Sequence, residues 1–347
     1  MTRFQKIVQR INHNRLTQCY VAIALIQGII LVVLEAAIAS ENVLQSQLVP
    51  DTNTAALERL NRIKWENIAF IGLQVWVMSM AVDATVHQNA AEVFALAFLY
   101  VIYAVLGGLQ ILDNDRWQAN LSVSGSSSTF SLTPLITAHS LEIALTVCLA
   151  VFAVLFVYIS YKLVLDFGWE IYKKIGADLS IQKMYRAFQY FVLCLKIDIF
   201  VEFLVSCFYF LQFVIKPGNV RHWQAWIFLV ITVSILPMLW LARQSVAKES
   251  KAQMIGFLIF QILVIFEFVL VLIGTSSDAW YIWICFVSIG VVFAVVTIVF
   301  GCICINNFNR GLFPFVQRGS MKSQLEDANR RRSDNGYSNI SWNIDEE

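Results

Sequence analysis

The 347-residue chain is 58% hydrophobic and only 14% charged, with a mean hydropathy of +0.66 and a formal net charge of +1. These values lie outside the range of soluble globular domains, and a nearly neutral chain whose basic residues are dispersed along its length offers no nucleic-acid-binding surface. The apolar runs are too long and too continuous for barrel strands, and backbone amides cannot stay unpaired in lipid. The fold class is therefore all-α: a polytopic membrane bundle of about eight transmembrane helices, with the lipid bilayer as its first partner.

Residues 1–17 form a polar, basic segment ahead of the first span, Gln18–Ser40. Ala37-Ile38-Ala39 has the small-residue pattern of a signal-peptide cleavage site. The apolar run is longer than a usual signal-peptide core, however, and Glu35 interrupts it, so we read a retained signal anchor. Cleavage would instead leave seven spans with a lumenal N-terminus, the topology of a heptahelical receptor. Residues 41–64 read as a lumenal segment with a turn at Pro50-Asp51. Leu57, Leu60 and Ile63 then recur at helical spacing, which predicts a short amphipathic helix leading into the second span, Trp65–Val82.

The third and fourth spans are Ala91–Leu112 and Leu141–Leu165. Residues 113–137 between them are rich in serine and predict a flexible lumenal loop. Asn120-Leu121-Ser122 in that loop is a glycosylation sequon, which makes Asn120 a candidate acceptor. The connection after the fourth span is the most patterned part of the chain. Lys173 and Lys174 ahead of Gly176 predict a helix end, and Asp178 or Ser180 a cap for the next helix. Trp169 and Tyr172 suit a helical hairpin anchored at the interface. The remaining spans are Tyr190–Ile215, Trp223–Ala242, Met254–Ile273 and Trp280–Ile305. Domain boundaries follow: cytosolic N-terminus 1–17, transmembrane domain 18–305 and disordered cytosolic tail 306–347.

Charge placement orients the bundle. With the N-terminus in the cytosol, 18 of the 25 Lys and Arg fall on the cytosolic side. Six fall on the lumenal side (Arg59, Arg62, Lys64, Arg116, Lys216 and Arg221), and Lys196 lies inside a span. That bias satisfies the positive-inside rule and places both termini in the cytosol.

The stretch Phe167–Asp178, the following Met184-Tyr185-Arg186, and Lys196-Ile197-Asp198 in the next span resemble a family of fungal Golgi apparatus membrane proteins of uncharacterised function. The resemblance runs from the first span to about Phe308. It implies a multi-pass protein of the Golgi membrane and brings no catalytic or binding residues with it.

Charges inside the spans carry the functional signal, because each costs roughly 2.5–3.5 kcal/mol at a helix centre on insertion scales. Asp198 and Glu202 are four residues apart on one face of the fifth span, and Lys196 lies about 200° round the helix from Asp198. Lys196 is placed to snorkel toward the cytosol. Glu267 in the seventh span and Glu35 in the first add two more acids at depth, whereas Glu66, Asp83, Glu92 and Glu142 read as solvent-reachable span ends. Either the deep acids are structural, protonated or bonded to Gln27, Gln74, Gln110, Gln212, Gln261 or a lysine, or they line a polar path for protons, cations or a polar solute. No pair of Gly- or Pro-broken helices marks a transporter centre. Gly107-Gly108 and Pro237 are the weak points, and no likeness between the halves is visible in the sequence.

Other chemistry finds no support. The seven cysteines all fall within or beside spans and read as small apolar packing residues, with no lumenal disulfide framework. His13, His87, His139 and His222 lie in or beside loops on both sides of the membrane, and no metalloprotease, nucleophile-elbow or phosphate-loop motif is present. No cofactor, metal site or catalytic residue is expected. In the tail, Arg330-Arg331-Arg332-Ser333 makes Ser333 a candidate phosphorylation site. Tyr337 and Ile340 fit a tyrosine-based sorting motif for cytosolic adaptors. The sequence reading is thus a non-enzymatic Golgi-resident protein of trafficking, sorting or membrane homeostasis. Its alternative is a proton- or cation-coupled transporter using the buried acids.

Overall fold

The computed structural model describes residues 14–49, 54–124, 131–175, 179–209, 222–275, 281–308 and 310. These residues form eight helices: α1 (Arg15–Leu48), α2 (Thr54–Val86), α3 (Ala90–Ser124), α4 (Thr133–Ile175), α5 (Leu179–Tyr209), α6 (His222–Ala247), α7 (Lys251–Thr275) and α8 (Tyr281–Asn307). Seven of them are long and apolar enough to cross a bilayer. The exception, α5, has the length at 31 residues, but its apolar stretch carries Lys196, Asp198 and Glu202.

Helix starts and stops follow local chemistry. Asn14 caps α1, its side chain accepting from the Leu16 amide at 3.0 Å. The helix α4 ends at Ile175, as Lys173 and Lys174 predict, and α5 begins at Leu179; Gly176 and Asp178 lie outside the described residues. The predicted turn at Pro50-Asp51 lies outside the described residues, and the Leu57–Ile63 periodicity is part of α2 itself. There Leu60 packs with Val49 and Leu135.

Two expectations need correcting. The helices run well beyond the apolar cores read from sequence: α4, at 43 residues, is about 65 Å long by helix rise, roughly twice a hydrocarbon layer. The predicted serine-rich loop, residues 113–137, is also helical at both ends. Helix α3 continues through Ser124 and α4 starts at Thr133, so Asn120 belongs to the last turns of a helix. Hydropathy marks only where lipid begins, and helices that keep packing on each other continue past that line.

The helices close into two rings. In the first, α1 packs on α2 and α4, and α3 on α2 and α4; in the second, α5 packs on α6 and α8, and α7 on α6 and α8. The rings meet through α2, α3 and α4 on one side and α5 and α8 on the other. Large apolar side chains such as Ile29, Val33, Phe94, Val154, Phe266 and Ile273 point outward, where lipid rather than water is their solvent.

The rings also share a turn. Between α2 and α3, Gln88 takes φ 52 and the Asn89 amide donates back to Ala84 O. Between α6 and α7, Glu249 takes φ 50 and the Ser250 amide donates back to Ser245 O. Both are left-handed helix-stop turns leading straight into the next helix, and in the first the Asn89 side chain accepts from the Ala91 amide at 3.2 Å. Counting onward from the turn, Val93, Leu96, Tyr100 and Tyr103 of α3 occupy the same buried positions as Met254, Phe257, Gln261 and Val264 of α7. The halves are structural repeats, alike in ring order, turn and burial and unlike in residue identity.

Close approach between helices depends on glycine at a few points. A Cβ on Gly290 of α8 would stand 2.7 Å from the Phe268 ring of α7, and one on Gly301 would stand 2.7 Å from Leu258. Gly107 and Pro237, read as weak points, lie inside continuous helices, and Gly107 is packed against Thr146 and Leu149 of α4.

Candidate functional site: buried acids of the second ring

Along α5, Cys194, Asp198, Glu202 and Ser206 repeat every four residues and are all buried, Asp198 and Glu202 completely (0% exposed). Four-residue spacing keeps them on one slowly drifting face over about 18 Å of helix rise. Helices α7 and α8 supply the opposite wall. Thr297 of α8 donates to Asp198, Gln261 of α7 donates to Glu202, and Glu267 of α7 lies against Ser206. Asp198 and Glu267 are the charged neighbours of Glu202.

Three of the four acids predicted for a polar path are therefore brought into one file. Each retains at least one carboxylate oxygen without a hydrogen-bond partner among the described residues. Among the described residues, no three His, Cys, Asp or Glu side chains converge on a single point as a metal site requires. The acids form a file rather than a cage.

Glu35 does not join this file. It is fully buried in the first ring, where its charged neighbours are Glu142 and Glu66. Here the sequence reading of Glu66 and Glu142 as solvent-reachable is corrected: they are 7% and 2% exposed. Their surroundings are polar protein. Arg59 pairs with Glu66 at 3.3 Å and with Asp113, Asn114 donates to Glu142 at 2.8 Å, and Gln110 donates to Asn67 at 3.2 Å. The first ring thus contains its own buried polar network, at the end that the charge bias assigns to the lumen.

Lys196 is corrected too. Instead of snorkelling to water it pairs with Asp83 and Glu92, crossing from the second ring to the first. Glu92, also read as solvent-reachable, is 2% exposed. Asp83 further accepts from His87 at 3.0 Å in the shared turn.

Of the amides proposed as partners for the acids, Gln261 fills that role. Gln110 bonds Asn67 instead, Gln27 and Gln74 are buried without partners, and Gln212 lies outside the described residues. Thr297 and Ser206 were not singled out from sequence, since isolated hydroxyl residues in a helix more often bond their own backbone. The seven cysteines form no disulfide among the described residues, and Cys302 and Cys304 point to different environments, one exposed and one buried. Ser333, Tyr337 and Ile340 lie outside the described residues, as does the side chain of Asn120.

Long apolar helices, lipid-facing aliphatic surfaces and interior charges define a multi-pass membrane protein whose polar groups are turned inward. Over 273 residues, spanning 70% of this chain and 75% of its relative, the sequence is 24% identical to a UPF0658 Golgi apparatus membrane protein of Schizosaccharomyces pombe. The chain is a homologue of that fungal protein and a multi-pass protein of the Golgi membrane. No family model matches the chain, and no solved structure does.

Proposed function

We propose that the protein serves Golgi membrane homeostasis, without enzymatic activity, by passing protons through the second ring. The observation that carries this reading is the single buried file of Asp198, Glu202 and Glu267, interleaved with Gln261, Thr297 and Ser206. Intramembrane acids held at this depth are retained for a reason, and an oxygen left without a partner is a place for a mobile proton. A proton needs only acceptors and donors in series. A larger solute would need a centre of the kind built from broken helices, and a dehydrated metal ion would need converging oxygens. The repeat architecture supports the same reading, since repeats that meet within the membrane are a common frame for transport. Adaptor binding through Tyr337 and Ile340 would determine where the protein works rather than what it does.

The test is proton flux in vesicles reconstituted with purified protein, comparing wild type with Glu202→Gln and Glu267→Gln. Both substitutions keep size and hydrogen-bonding capacity and remove titration. Flux should fall to the level of protein-free vesicles in each variant. Equal flux in all three, at equal protein incorporation, refutes the proposal and leaves the carboxylates as polar contacts within the ring.

A further inference from the structure

At the end assigned to the cytosol, a cavity of about 430 Å³ lies where α3 and α4 of the first ring face α5 of the second. Its wall on α5 is polar. Gln182, Arg186 and Gln189 follow one another at spacings of four and three residues, which keeps all three on one face over about 10 Å of helix rise. The opposite walls are small or apolar: Ala90 and Ala91 open α3, and Gly168 lies on α4. A Cβ added to Gly168 would meet nothing within 4 Å, so this glycine borders open space.

Two of these polar groups are uncommitted. Gln189 is 9% exposed and makes no side-chain hydrogen bond among the described residues. Burying an amide without a partner is costly, and a ligand in the cavity would supply one. Arg186 is exposed, forms no ion pair among the described residues, and is the one charged residue they contribute to the wall. Of the described acids close to the wall in sequence, Glu92 pairs with Lys196, and Asp166 accepts from Asn14 at 3.4 Å. The cavity is therefore positive and rich in hydrogen-bonding groups. Its level in the membrane is marked by Trp169, exposed beside Gly168, and by Phe94, which borders the cavity and is 64% exposed on the lipid side. Lipid headgroups lie at that boundary.

We propose that this cavity binds the phosphorylated polyol headgroup of an anionic phospholipid in the cytosolic leaflet, with phosphate on Arg186 and ring hydroxyls on Gln182 and Gln189. Basic pockets between helices on the cytosolic face suit anionic headgroups, and the planar fork of an arginine matches two oxygens of a phosphate. Each glutamine amide offers both donors and an acceptor, the combination a hydroxyl requires. The volume lies within the roughly 300–1,000 Å³ usual for ligand pockets, more than a bare phosphate fills. The acyl chains stay in the bilayer beside Phe94, and the bound headgroup joins α3 and α4 of the first ring to α5 of the second.

The site is tested on the full chain in mild detergent, by fluorescence anisotropy of a short-chain, fluorophore-tagged phosphatidylinositol monophosphate. Wild type should bind the probe, and phosphatidylcholine of the same chain length should not displace it. Arg186→Gln lies at the surface and should leave folding intact while weakening binding about tenfold or more, the loss expected for one charged hydrogen-bonding group. Arg186→Lys should recover part of it. Gln189→Leu breaks no hydrogen bond made among the described residues, so its thermal midpoint should match wild type while binding weakens about two- to tenfold. Gly168→Leu, which adds a side chain at the open wall, should abolish binding. Undiminished binding in Arg186→Gln, or equal displacement by phosphatidylcholine, overturns the phosphate assignment. Equal displacement by phosphatidylserine overturns the polyol assignment, and water-soluble inositol phosphates that compete as well as the intact lipid overturn the lipid as source. Wild-type affinity in a correctly folded Gly168→Leu protein overturns the site altogether.

Discussion

Replacing Lys196 by methionine removes the one described cation that ties the second ring to acids of the first. The side chain keeps its length and loses its charge. Asp83 is 41% exposed and rehydrates at little cost, whereas Glu92, at 2%, is left as a carboxylate in a dry site. Breaking a buried pair from one side costs about 3–5 kcal/mol, and since Lys196 is itself 23% exposed we expect about 2–4 kcal/mol. The double variant Lys196→Met/Glu92→Gln no longer buries an unpaired charge and should recover about 0.5–3 kcal/mol of that loss, the usual range for directly contacting residues. Unfolding free energies measured by titrating sodium dodecyl sulfate into mixed micelles, for wild type, both single variants and the double, close the cycle. A Lys196→Met protein within about 0.5 kcal/mol of wild type, or a double variant no better than the single, would refute the reasoning.

In α8, Gly290→Ala pushes a methyl group to 2.7 Å from the Phe268 ring and 3.2 Å from Val201, and should destabilise by about 1–3 kcal/mol in the same assay. Gly108→Ala meets nothing within 4 Å and should be neutral or stabilising by up to about 1 kcal/mol. The hydrogen bond to Asp83 raises the pKa of His87 above its ordinary value of 6.5. The contribution of that pair to stability is therefore full below about pH 6.5 and is lost as pH rises through the higher folded value. His87→Gln should flatten that part of a profile of thermal midpoint against pH; an unchanged profile counts against the pair. In sealed microsomes, protease should remove a tag at the C-terminus and spare one inserted near Ser126, and Asn120→Gln should abolish any glycan-dependent shift in mobility. A protected C-terminal tag would reverse the assigned orientation.

The sequence discloses the helices because lipid imposes a long, continuous apolar signal on each. It also discloses the second-ring acids, since Asp198, Glu202 and Glu267 are costly wherever they sit in a span. The partners were harder to see. Lys196 is separated from Asp83 by 113 residues and from Glu92 by 104, and no local pattern links them. Glu66, Glu92 and Glu142 were misplaced because hydropathy locates the edge of the lipid but not the edge of the protein's own packing. Their helices continue past that edge and keep their inner faces against one another. The repeat was hidden for a related reason. What the halves share is backbone geometry at Gln88 and Glu249 and a rhythm of burial, and in lipid many different apolar residues serve that rhythm equally well.

Closure of the first ring by α4 has a consequence for biosynthesis. All four of its helices have been made before α5 leaves the ribosome, so this half can assemble in the membrane as a finished unit. Glu92 is then already in place, while its cation has yet to be translated. The separation is 104 residues, and at about 5–20 residues per second the delay is about 5–20 s. During that interval the ring carries an uncompensated acid on the surface that will receive α5, which gives the nascent second half an electrostatic address to dock against.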